Sequence, residues 1–377
     1  MDYLKLVKEQ EDERSALDKR MATDSDLLYL VKYVMKDSHN AVIPDVINIT
    51  LNKPAIFAAN VISTLGGTSQ QVVVESEDKG IDTAKIEEFQ KAAYNSANER
   101  LQNAGEALLN PFADTQLCIR GRTARRVLFR LDEATNKLIA DIQPWDGRYV
   151  YFERGESGLT WGANKTRRSR RAIEGRYKIT VNGKTGVVLD CWDEDGNFIY
   201  IDGKLELEQE HPYGFCPVVV QIVDLGYGNM LLDENRSEHE GESIFFLIRG
   251  IVPELNRLVT ILQTLNVKAV KAPGQYKSKD GHTATPPEYE EAMASGAMTA
   301  VDAEGGISLV DYGDAKRAAE MCYNIMEKQF QEGSITSIDL GNLQFPLSAV
   351  ALMEVGEGRD RVFLPRLQAK ALLNTQT

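Results

Sequence analysis

The chain has 377 residues, a formal net charge of −13 and a pI near 5.0, and 43% of its residues are hydrophobic. This is an ordinary soluble composition, with enough apolar residues for a large core and two or three packed units. The acidic balance argues against a protein that clamps DNA phosphates over a broad basic surface. The four cysteines are Cys118, Cys191, Cys216 and Cys322. They form no CxxC pair, so they predict neither a disulfide framework nor a zinc site, and a reducing compartment is the simplest setting.

The amino terminus predicts a helix rather than a targeting segment. Its first twenty residues are charged throughout and lack the apolar stretch of a signal peptide. The two most apolar stretches, 54–65 and 243–265, are respectively too short and interrupted by charges, so we expect no membrane span.

The first third of the chain predicts helices with short strands between them. Residues 2–36 are expected to form one or two polar helices, and 43–51 alternates as a strand does. A helix follows from Pro54 to Gly66, and 71–75 predicts a second strand. From Asp82 the apolar spacing again indicates a helix, which ends before Pro111.

Residues 116–223 change to a strand pattern. Short apolar stretches are separated by the hairpin-turn pairs Asn182-Gly183 and Asp195-Gly196. We therefore expect an antiparallel sheet here.

The strongest helix signal runs from Ser237 to Leu265. Ser237 and Glu240 have capping-box spacing, and Pro253 is expected to kink the helix near Arg249. Phe245, Val252 and Val259 make a second stripe. The remaining face, which is expected to be exposed to water, consists of Glu254, Asn256, Arg257, Thr260, Gln263 and Asn266. A heptad-like seam with a mean period of 3.5 residues lies along one side of this helix and consists of Ile244, Ile248, Ile251, Leu255, Leu258, Leu262 and Leu265. Such a seam suits packing between neighbouring subunits, and it is also found in an ordinary core helix.

A small insert and a second long helix follow. Residues 270–276 are expected to be extended, a loop and a short helix follow, and two short strands close the insert. The second helix is expected from a capping Asp314 to Gly333, with Cys322 and Ile325 on one edge and Ala319 and Phe330 on the next. After a polar, glycine-interrupted loop, a last helix begins beyond Pro346.

A search for a reactive centre finds no nucleophile elbow, no zinc-protease helix, no Walker lysine loop and no dinucleotide fingerprint. Among the four histidines, only His239 has a possible co-ligand at helical spacing, Glu242. The acidic residues from Asp190 to Asp195 lack the alternation of a calcium loop, and an acidic hairpin tip explains them better. No catalytic residue, metal or cofactor is predicted.

Two arginine clusters stand out against the acidic balance. They can contact nucleic acid or an acidic partner surface, or pair with carboxylates of a neighbouring subunit. Trp145 and Trp161 lie near them and can stack on bases, although aromatic residues in strands are usually core. One cluster is Arg120, Arg122, Arg125 and Arg126, and the basic patch is Arg167, Arg168, Arg170 and Arg171, preceded by Lys165.

The order of these parts resembles the portal proteins of tailed double-stranded DNA bacteriophages. Local strings that look similar are INITLNKPAIFAANVISTL, EGESIFFLIRGIVPELN, NVKAVKAPG, FPLSAVAL and FLPRLQ. The resemblance covers nearly the full length and is carried by arrangement more than by any sharp motif. It implies an α+β fold with the following parts: a mixed wing with an antiparallel sheet over 1–235, a first stem helix over 236–267, a small α/β clip over 268–311, a second stem helix over 312–333, and a tunnel loop with a kinked helix and the start of a crown over 334–377.

The resemblance implies a structural subunit without catalysis. Portals form rings, commonly of twelve subunits, at one capsid vertex of the virion, after assembly in the host cytoplasm. Double-stranded DNA passes through without sequence specificity during packaging and ejection. The other implied partners are terminase, the major capsid or scaffolding protein and the head-tail connector protein. An acidic lumen would keep the DNA from adhering, which reconciles the charge of −13 with a DNA conduit.

Three sets of residues follow from the resemblance. The predicted oligomer seam is the heptad-like stripe of the first stem helix. The predicted DNA-channel loop comprises Ser334, Thr336, Asp339, Asn342 and Gln344. The predicted docking site for terminase and connector proteins comprises Lys277, Lys279, Asp280, Glu288, Glu290 and Glu291.

Two alternatives remain at this point. One is another phage head-tail structural protein, such as a collar or adaptor, which forms rings without the channel loop. The other is an enzyme that acts on nucleic acid through the carboxylates of 190–195 and the arginines. One departure from the family is that members usually continue well past the tunnel helix, whereas this chain stops at Thr377, so we expect the crown to be missing or vestigial.

Overall fold

The structure is a computed structural model that describes residues 1–68, 72–78, 80–132, 137–156, 158–224, 234–270, 274–277, 306–309, 315–334 and 349–377. Its helices and antiparallel sheets give the predicted α+β class. The chain divides into two units, which we call the sheet unit (Met1–Leu28, Ala55–Phe246 and Phe345–Thr377) and the helical unit (Tyr29–Pro54 and Leu247–Gln344). Residues 29–54, which the sequence placed in the wing, therefore belong to the helical unit, and the last helix belongs to the sheet unit.

The sheet unit contains most of the helices and both large sheets. Its helices are α1 (Tyr3–Glu13), α2 (Ser15–Leu28), α3 (Lys53–Gly66, of which Lys53 and Pro54 belong to the helical unit), α4 (Thr83–Asn103), α5 (Leu109–Ile119), α6 (Arg170–Tyr177) and the last helix, α9 (Ala349–Gln376). Its strands are β1 (Arg122–Asp132), β2 (Lys137–Asp146), β3 (Val150–Gly155), β4 (Gly158–Ser169), β5 (Thr185–Asp193), β6 (Gly196–Ile201), β7 (Lys204–Glu210) and β8 (Val218–Ile222).

The strands form a three-stranded sheet of order β2-β1-β8 and a five-stranded sheet of order β3-β4-β5-β6-β7. Alternation along β6 assigns its residues to two cores, because successive side chains of a strand lie on opposite faces. Phe198 and Tyr200 pack with Tyr3 and Val7 of α1, whereas Ile199 and Ile201 pack with Ile173 of α6. The helices α1 and α6 therefore cover opposite faces of the five-stranded sheet.

Helix α9 is attached to the sheet unit by polar contacts at four-residue spacing. Arg366 donates to the carbonyl of Glu242 at 3.2 Å, and the Lys370 ammonium lies 2.8 Å from the carboxylate of Asp114. The amide oxygen of Asn374 accepts from Arg125 at 2.7 Å. Residues four apart share one face of a helix, so this face of α9 carries buried hydrogen-bonding groups as well as the apolar Leu373.

Two glycines permit a close backbone crossing in the sheet unit. Gly121 (φ +72°) and Gly241 (φ +66°) both adopt the left-handed region. A Cβ on Gly121 would lie 1.6 Å from the carbonyl oxygen of Gly241, so no side chain fits there. Arg20 donates to that same carbonyl at 3.0 Å, which fixes α2 to the crossing.

The helical unit contains an antiparallel strand pair between two long helices in the sequence. These elements are α7 (Ile251–Val270), β9 (Gly274–Lys277), β10 (Gly306–Leu309) and α8 (Ala315–Gly333). The end of α8 lies beside the chain that precedes α7, since a Cβ on Gly333 would lie 3.0 Å from Ile248. The two helices therefore run in opposite directions.

Several predicted elements differ from the observed ones. Residues 29–36 are not helical: Leu30 is left-handed (φ 52°), and the N–H groups of Tyr33 and Met35 donate to side chains of Thr50 and Asn48. Residues 44–45 form a turn in which Asp45 is left-handed (φ 56°), and 46–51 and 72–76 lie in no strand of the described sheets. Neither α5 nor α6 was predicted. The predictions for α3, α4, α8 and the antiparallel strands are confirmed, and the structure shows Asp82 as the N-cap of α4.

The first long helix starts later than predicted. The chain forms a short 3-10 turn over Glu234–His239, then turns, and α7 begins at Ile251. Pro253 is consequently the third residue of α7, where a helix needs no N–H from it, and it does not kink the helix near Arg249. The expected helix from Ser237 was wrong because Gly241 and Gly250 interrupt the periodic stretch.

Candidate assembly surfaces

The two edges of α8 have different environments. Ala319 and Phe330 are buried, which identifies the predicted second edge as the inward one. Met321 is 60% exposed and Ile325, one turn later, is 59% exposed. An exposed apolar pair one turn apart is a candidate contact surface, because apolar surface in water favours association.

The predicted oligomer seam does not lie on one surface. Ile244, Ile248 and Leu255 are at most 5% exposed and pack within their own chain. Ile244 and Ile248 also precede α7, so they do not continue its helical stripe. The remaining seam residues are half-buried on α7 and are the only ones available in part to a neighbour: Ile251, Leu258, Leu262 and Leu265.

One buried side of α7 is polar rather than apolar. Asn256, Thr260 and Thr264 are at most 9% exposed. Their side-chain oxygens accept from backbone N–H groups at the end of a non-helical segment, which we call the arm (residues 29–52). The three donor-acceptor distances, from Leu51 to Asn256, Ile49 to Thr260 and Ile47 to Thr264, are 2.9, 3.0 and 3.1 Å. We call this set the side-chain ladder. The expectation that Asn256 and Thr260 face water was wrong, because each has an amide partner on the arm.

The arm also uses its own side chains. Asn48 and Thr50 accept from the N–H groups of Met35 and Tyr33 at 2.7 and 2.8 Å, so the second half of the arm lies between the first half and α7. Several of its apolar side chains are exposed, among them Tyr29 at 74% and Val31 at 56%. The arm thus adds further apolar surface to the helical unit.

Lys53 connects the end of the arm to α8. Its ammonium pairs with the carboxylate of Glu327 and lies 5.7 Å from the ring centre of Phe330. An ammonium group near an aromatic face is attracted by the ring quadrupole. The arm is therefore bound to both long helices.

Most of the predicted channel and docking residues lie outside the described part of the chain. Ser334 directly follows α8 and is half-buried. Lys277 ends β9, for which only the backbone is described. The others lie outside the described residues: Thr336, Asp339, Asn342, Gln344, Lys279, Asp280, Glu288, Glu290 and Glu291.

The first arginine cluster is structural. Arg122, Arg125 and Arg126 are at most 4% exposed. Arg122 pairs with Glu240 at 2.9 Å, and Arg125 donates to Tyr94, Asn374 and the carbonyl of Leu109. Neither nucleic acid nor a neighbouring subunit can reach these groups. Trp145 and Trp161 are also buried, as core residues are.

The basic patch lies at the end of β4 and the start of α6. Arg167 is exposed on the α1 side of the sheet, because it alternates with Trp161, Ala163 and Lys165 of that face. Arg168 lies on the α6 side, and Arg170 pairs with Glu174 along α6 at 2.8 Å. Arg171 is exposed. The four arginines are therefore divided between two surfaces.

An open cleft of about 550 Å³ continues the α6 side. It is lined by Arg176 and Tyr177 of α6, the sheet face around Trp192, and parts of β1, β2 and α4. In it, Asp141 accepts ion pairs from Arg100 at 2.5 Å and from Arg126 and Arg130 at 3.2 Å. Although burial alone raises the pKa of Asp141, the three guanidinium groups outweigh it and hold that pKa below its ordinary value.

The other chemical candidates have structural partners. Asp193 accepts from the N–H groups of Asp195 and Gly196 at the turn between β5 and β6, so the acidic hairpin tip is confirmed. Asp190 accepts from Trp192 and Asn197. His239 contacts Glu242 at 2.6 Å, but that buried carboxylate also pairs with Arg20 at 3.3 Å.

Within the described ranges, no group of three or more His, Cys, Asp or Glu residues is arranged to hold a metal ion. None of the helices in that part of the chain is long and apolar enough to cross a membrane. In comparisons with known proteins, no protein-family model and no curated protein matches the chain.

Proposed function

We propose that this protein is the subunit of a portal ring that forms the channel for double-stranded DNA at a phage capsid vertex. In this role it has no catalysis of its own. It provides a DNA passage during packaging and ejection, and it binds terminase and head-completion or tail proteins in turn.

One observation carries the proposal: two long antiparallel helices bracket a small strand pair in one unit, and a separate α+β unit contains most of the chain before them and the last helix after them. A stem helix, a clip and a returning stem helix have this order. The helix pair also retains exposed apolar side chains, Met321 and Ile325, that its own chain does not cover. Side-by-side packing of subunits would cover them.

The charge supports a conduit for a polyanion. A net charge of −13 disfavours adhesion of DNA phosphates, and a channel through which DNA slides needs weak contacts that do not depend on sequence. The buried state of Arg122, Arg125 and Arg126 removes one arginine cluster that a nucleic-acid enzyme would need. A collar or adaptor ring is the second candidate, favoured by the same exposed apolar pair, and it differs in having no DNA passage.

Electron microscopy of the purified protein tests the proposal. We expect closed rings with a central hole at least as wide as duplex DNA, about 20 Å. A monomer with nuclease or other nucleic-acid activity would contradict it, and rings with a narrower hole would favour the collar or adaptor.

A variant pair tests whether α8 contributes to assembly. Met321→Asp with Ile325→Asp places two charges on the exposed edge, and we expect the ring to dissociate to monomers that keep the wild-type circular dichroism spectrum. The control is Leu372→Asp, an apolar residue of α9 that is 53% exposed and that the proposal does not use. Leu255 of the predicted seam is not a suitable target, because it is buried in its own chain and its change would unfold the unit. Intact rings from the α8 variant would show that this edge is not an assembly surface.

A further inference from the structure

The two faces of the five-stranded sheet are covered by helices of different charge. Helix α1 covers one face and carries four carboxylates against Lys5 and Lys8; Glu9 pairs with Lys5 at 3.7 Å, whereas the exposed Asp12 and Glu13 have no ion-pair partner in the described residues. Helix α6 covers the other face and carries Arg170, Arg171 and Arg176. The sheet and its two helices belong to one unit, so this charge asymmetry is a property of the unit itself.

The cations of the α6 side exceed their intrachain partners. Of the cations on α6, Arg170 has its partner in Glu174, whereas the exposed Arg171 and Arg176 make no ion pair within the described residues. The ammonium of Lys178, just after α6, has one partner in the described part of the chain, the backbone carbonyl of Gly175. An anionic partner would therefore gain charge-assisted contacts without displacing an existing pair.

The adjoining cleft has donors with few acceptors. Three guanidinium groups share the carboxylate of Asp141, and the buried Arg126 also pairs with Asp190 at 3.5 Å, whereas the exposed Arg130 has no other ion-pair partner in the described part of the chain. The hydroxyl of Tyr177, which also lines the cleft, has no hydrogen-bond partner there. Unsatisfied donors beside a surplus of cations favour a ligand that supplies carboxylate oxygens.

The α1 side offers such carboxylates. In β7, the edge strand of the sheet, Glu208 lies opposite Phe198 and Glu210 opposite Gly196, which places both on the α1 side. Glu208 and Glu210 are exposed, and the described residues contain no ion-pair partner for them. Burial, the neighbouring Cys191, and then Asp2 and Glu208 raise the pKa of Tyr200, so these carboxylates act on the same face.

We propose that the α6 side of one copy binds the acidic α1 side of a second copy. Because the two surfaces lie on opposite faces of one sheet, they cannot meet within a chain, and pairing is possible only between copies. Two different complementary surfaces on each subunit make a head-to-tail contact, which closes into a ring when the rotation between copies is suitable. The inference rests on the proposed ring and assigns the surfaces by which its sheet units meet.

The charges also fix the type of contact. An edge strand with Glu208 and Glu210 resists pairing with another strand, since charged edge residues block edge-to-edge addition. The contact is therefore between side chains, carboxylates against guanidinium groups, and added salt weakens it by screening.

Reciprocal charge reversal tests this assignment. One variant carries Arg171→Glu and Arg176→Glu, a second carries Glu208→Lys and Glu210→Lys, and a third carries all four changes. Lys85→Glu with Lys91→Glu, two exposed residues of α4 away from both surfaces, is the matched control. Assembly is followed by analytical ultracentrifugation at several NaCl concentrations and by electron microscopy, and circular dichroism verifies that each variant is folded.

We expect each two-residue reversal to raise the dissociation constant between subunits about tenfold or more, and the four-residue variant to recover much of the wild-type association. The α4 control should associate as the wild type does. Wild-type rings from either two-residue variant, or no recovery in the four-residue variant, would overturn the inference and leave the proposed ring intact. Salt-sensitive open chains that never close would support the surfaces and contradict the ring, and a wild-type monomer at low salt would overturn both.

Discussion

The two units stabilise their buried polar groups by different means. In the sheet unit these groups are largely charged, as in the pair of Lys370 and Asp114 and the arginines around Asp141. In the helical unit the three buried polar side chains of α7 are uncharged, and each accepts from one backbone N–H of the arm. Removing one partner of a buried charged pair lowers the free energy of unfolding strongly, and the effect depends on pH. Removing a hydroxyl or amide acceptor lowers it less, acts locally and does not depend on pH. Four changes test this contrast.

The largest effect is expected from Lys370→Met. Both partners of this pair are buried, and the variant leaves the Asp114 carboxylate without its cation, which typically costs about 3–5 kcal/mol. Burial already raises the pKa of Asp114 in spite of Lys370, so the variant should regain stability as the pH falls. The measurement is the urea midpoint of unfolding.

The double variant Lys370→Met with Asp114→Leu is the control for this pair. It removes both charges, and we expect it to be much closer to the wild type than Lys370→Met alone. A double variant as unstable as the single one would show that α9 is held by shape rather than by the charge pair.

A smaller effect is expected from Thr260→Val, which keeps the shape of the side chain and removes one acceptor of the ladder. The N–H of Ile49 is then left without a partner, at a cost of about 1–3 kcal/mol. Hydrogen exchange should become faster at Ile49 and in the neighbouring arm, with little change in the sheet unit. Thr375→Val, at an exposed position of α9, is the matched control, and unchanged exchange at Ile49 would contradict the ladder.

The response to acid should distinguish the units further. Since the pKa of Asp141 is lowered in the folded state, its contribution to stability is present above the ordinary carboxyl pKa of about 3.9 and is lost as the pH falls below it. Asp141→Asn should lower stability at pH 7 and flatten the loss below about pH 4. Thr260→Val should leave the acid response unchanged, and an equal response of both variants would contradict the comparison.

The smallest expected change concerns thiol labelling. Cys118, Cys191 and Cys216 are buried, and burial raises the pKa of Cys118 and of Cys216 to about 12. Cys322 is exposed on α8, next to Met321. We expect a maleimide to label Cys322 first in the native monomer and more slowly in the assembled ring. Equal labelling in both states would place α8 outside the contacts between subunits.

The sequence predicted the elements whose stability is local. Apolar spacing from Asp82 onward located α4, and strand alternation with the Asp195-Gly196 turn located the hairpin of β5 and β6. The arm was missed because its extended form depends on partners remote in sequence, the oxygens of Asn256 and Thr260. A local sequence pattern does not predict contacts between residues that are remote in sequence. The burial of Arg122 could not be predicted for the same reason.

The assembly surfaces were predicted less well than the fold. Hydrophobic periodicity placed Leu255 in a seam between subunits, but periodicity does not tell a stripe that packs within the chain from one that packs outside it. The division of Arg167 and Arg168 between two faces follows from the parity of β4 and could have been inferred once its length was known. The length of β4 was not predicted, because the unpredicted helix α6 begins directly after Ser169, in the middle of the basic patch.

The spacing of the side-chain ladder limits its own length. Four residues of a helix advance about 6.0 Å, whereas two residues of an extended chain advance about 6.6–6.8 Å, so the two repeats drift apart by roughly 0.6–0.8 Å at each step. The three hydrogen bonds are formed at 2.9, 3.0 and 3.1 Å. Further steps would add to the mismatch and strain the next equivalent hydrogen bond. The difference between the two repeats therefore limits how far the arm can follow α7 by this pattern.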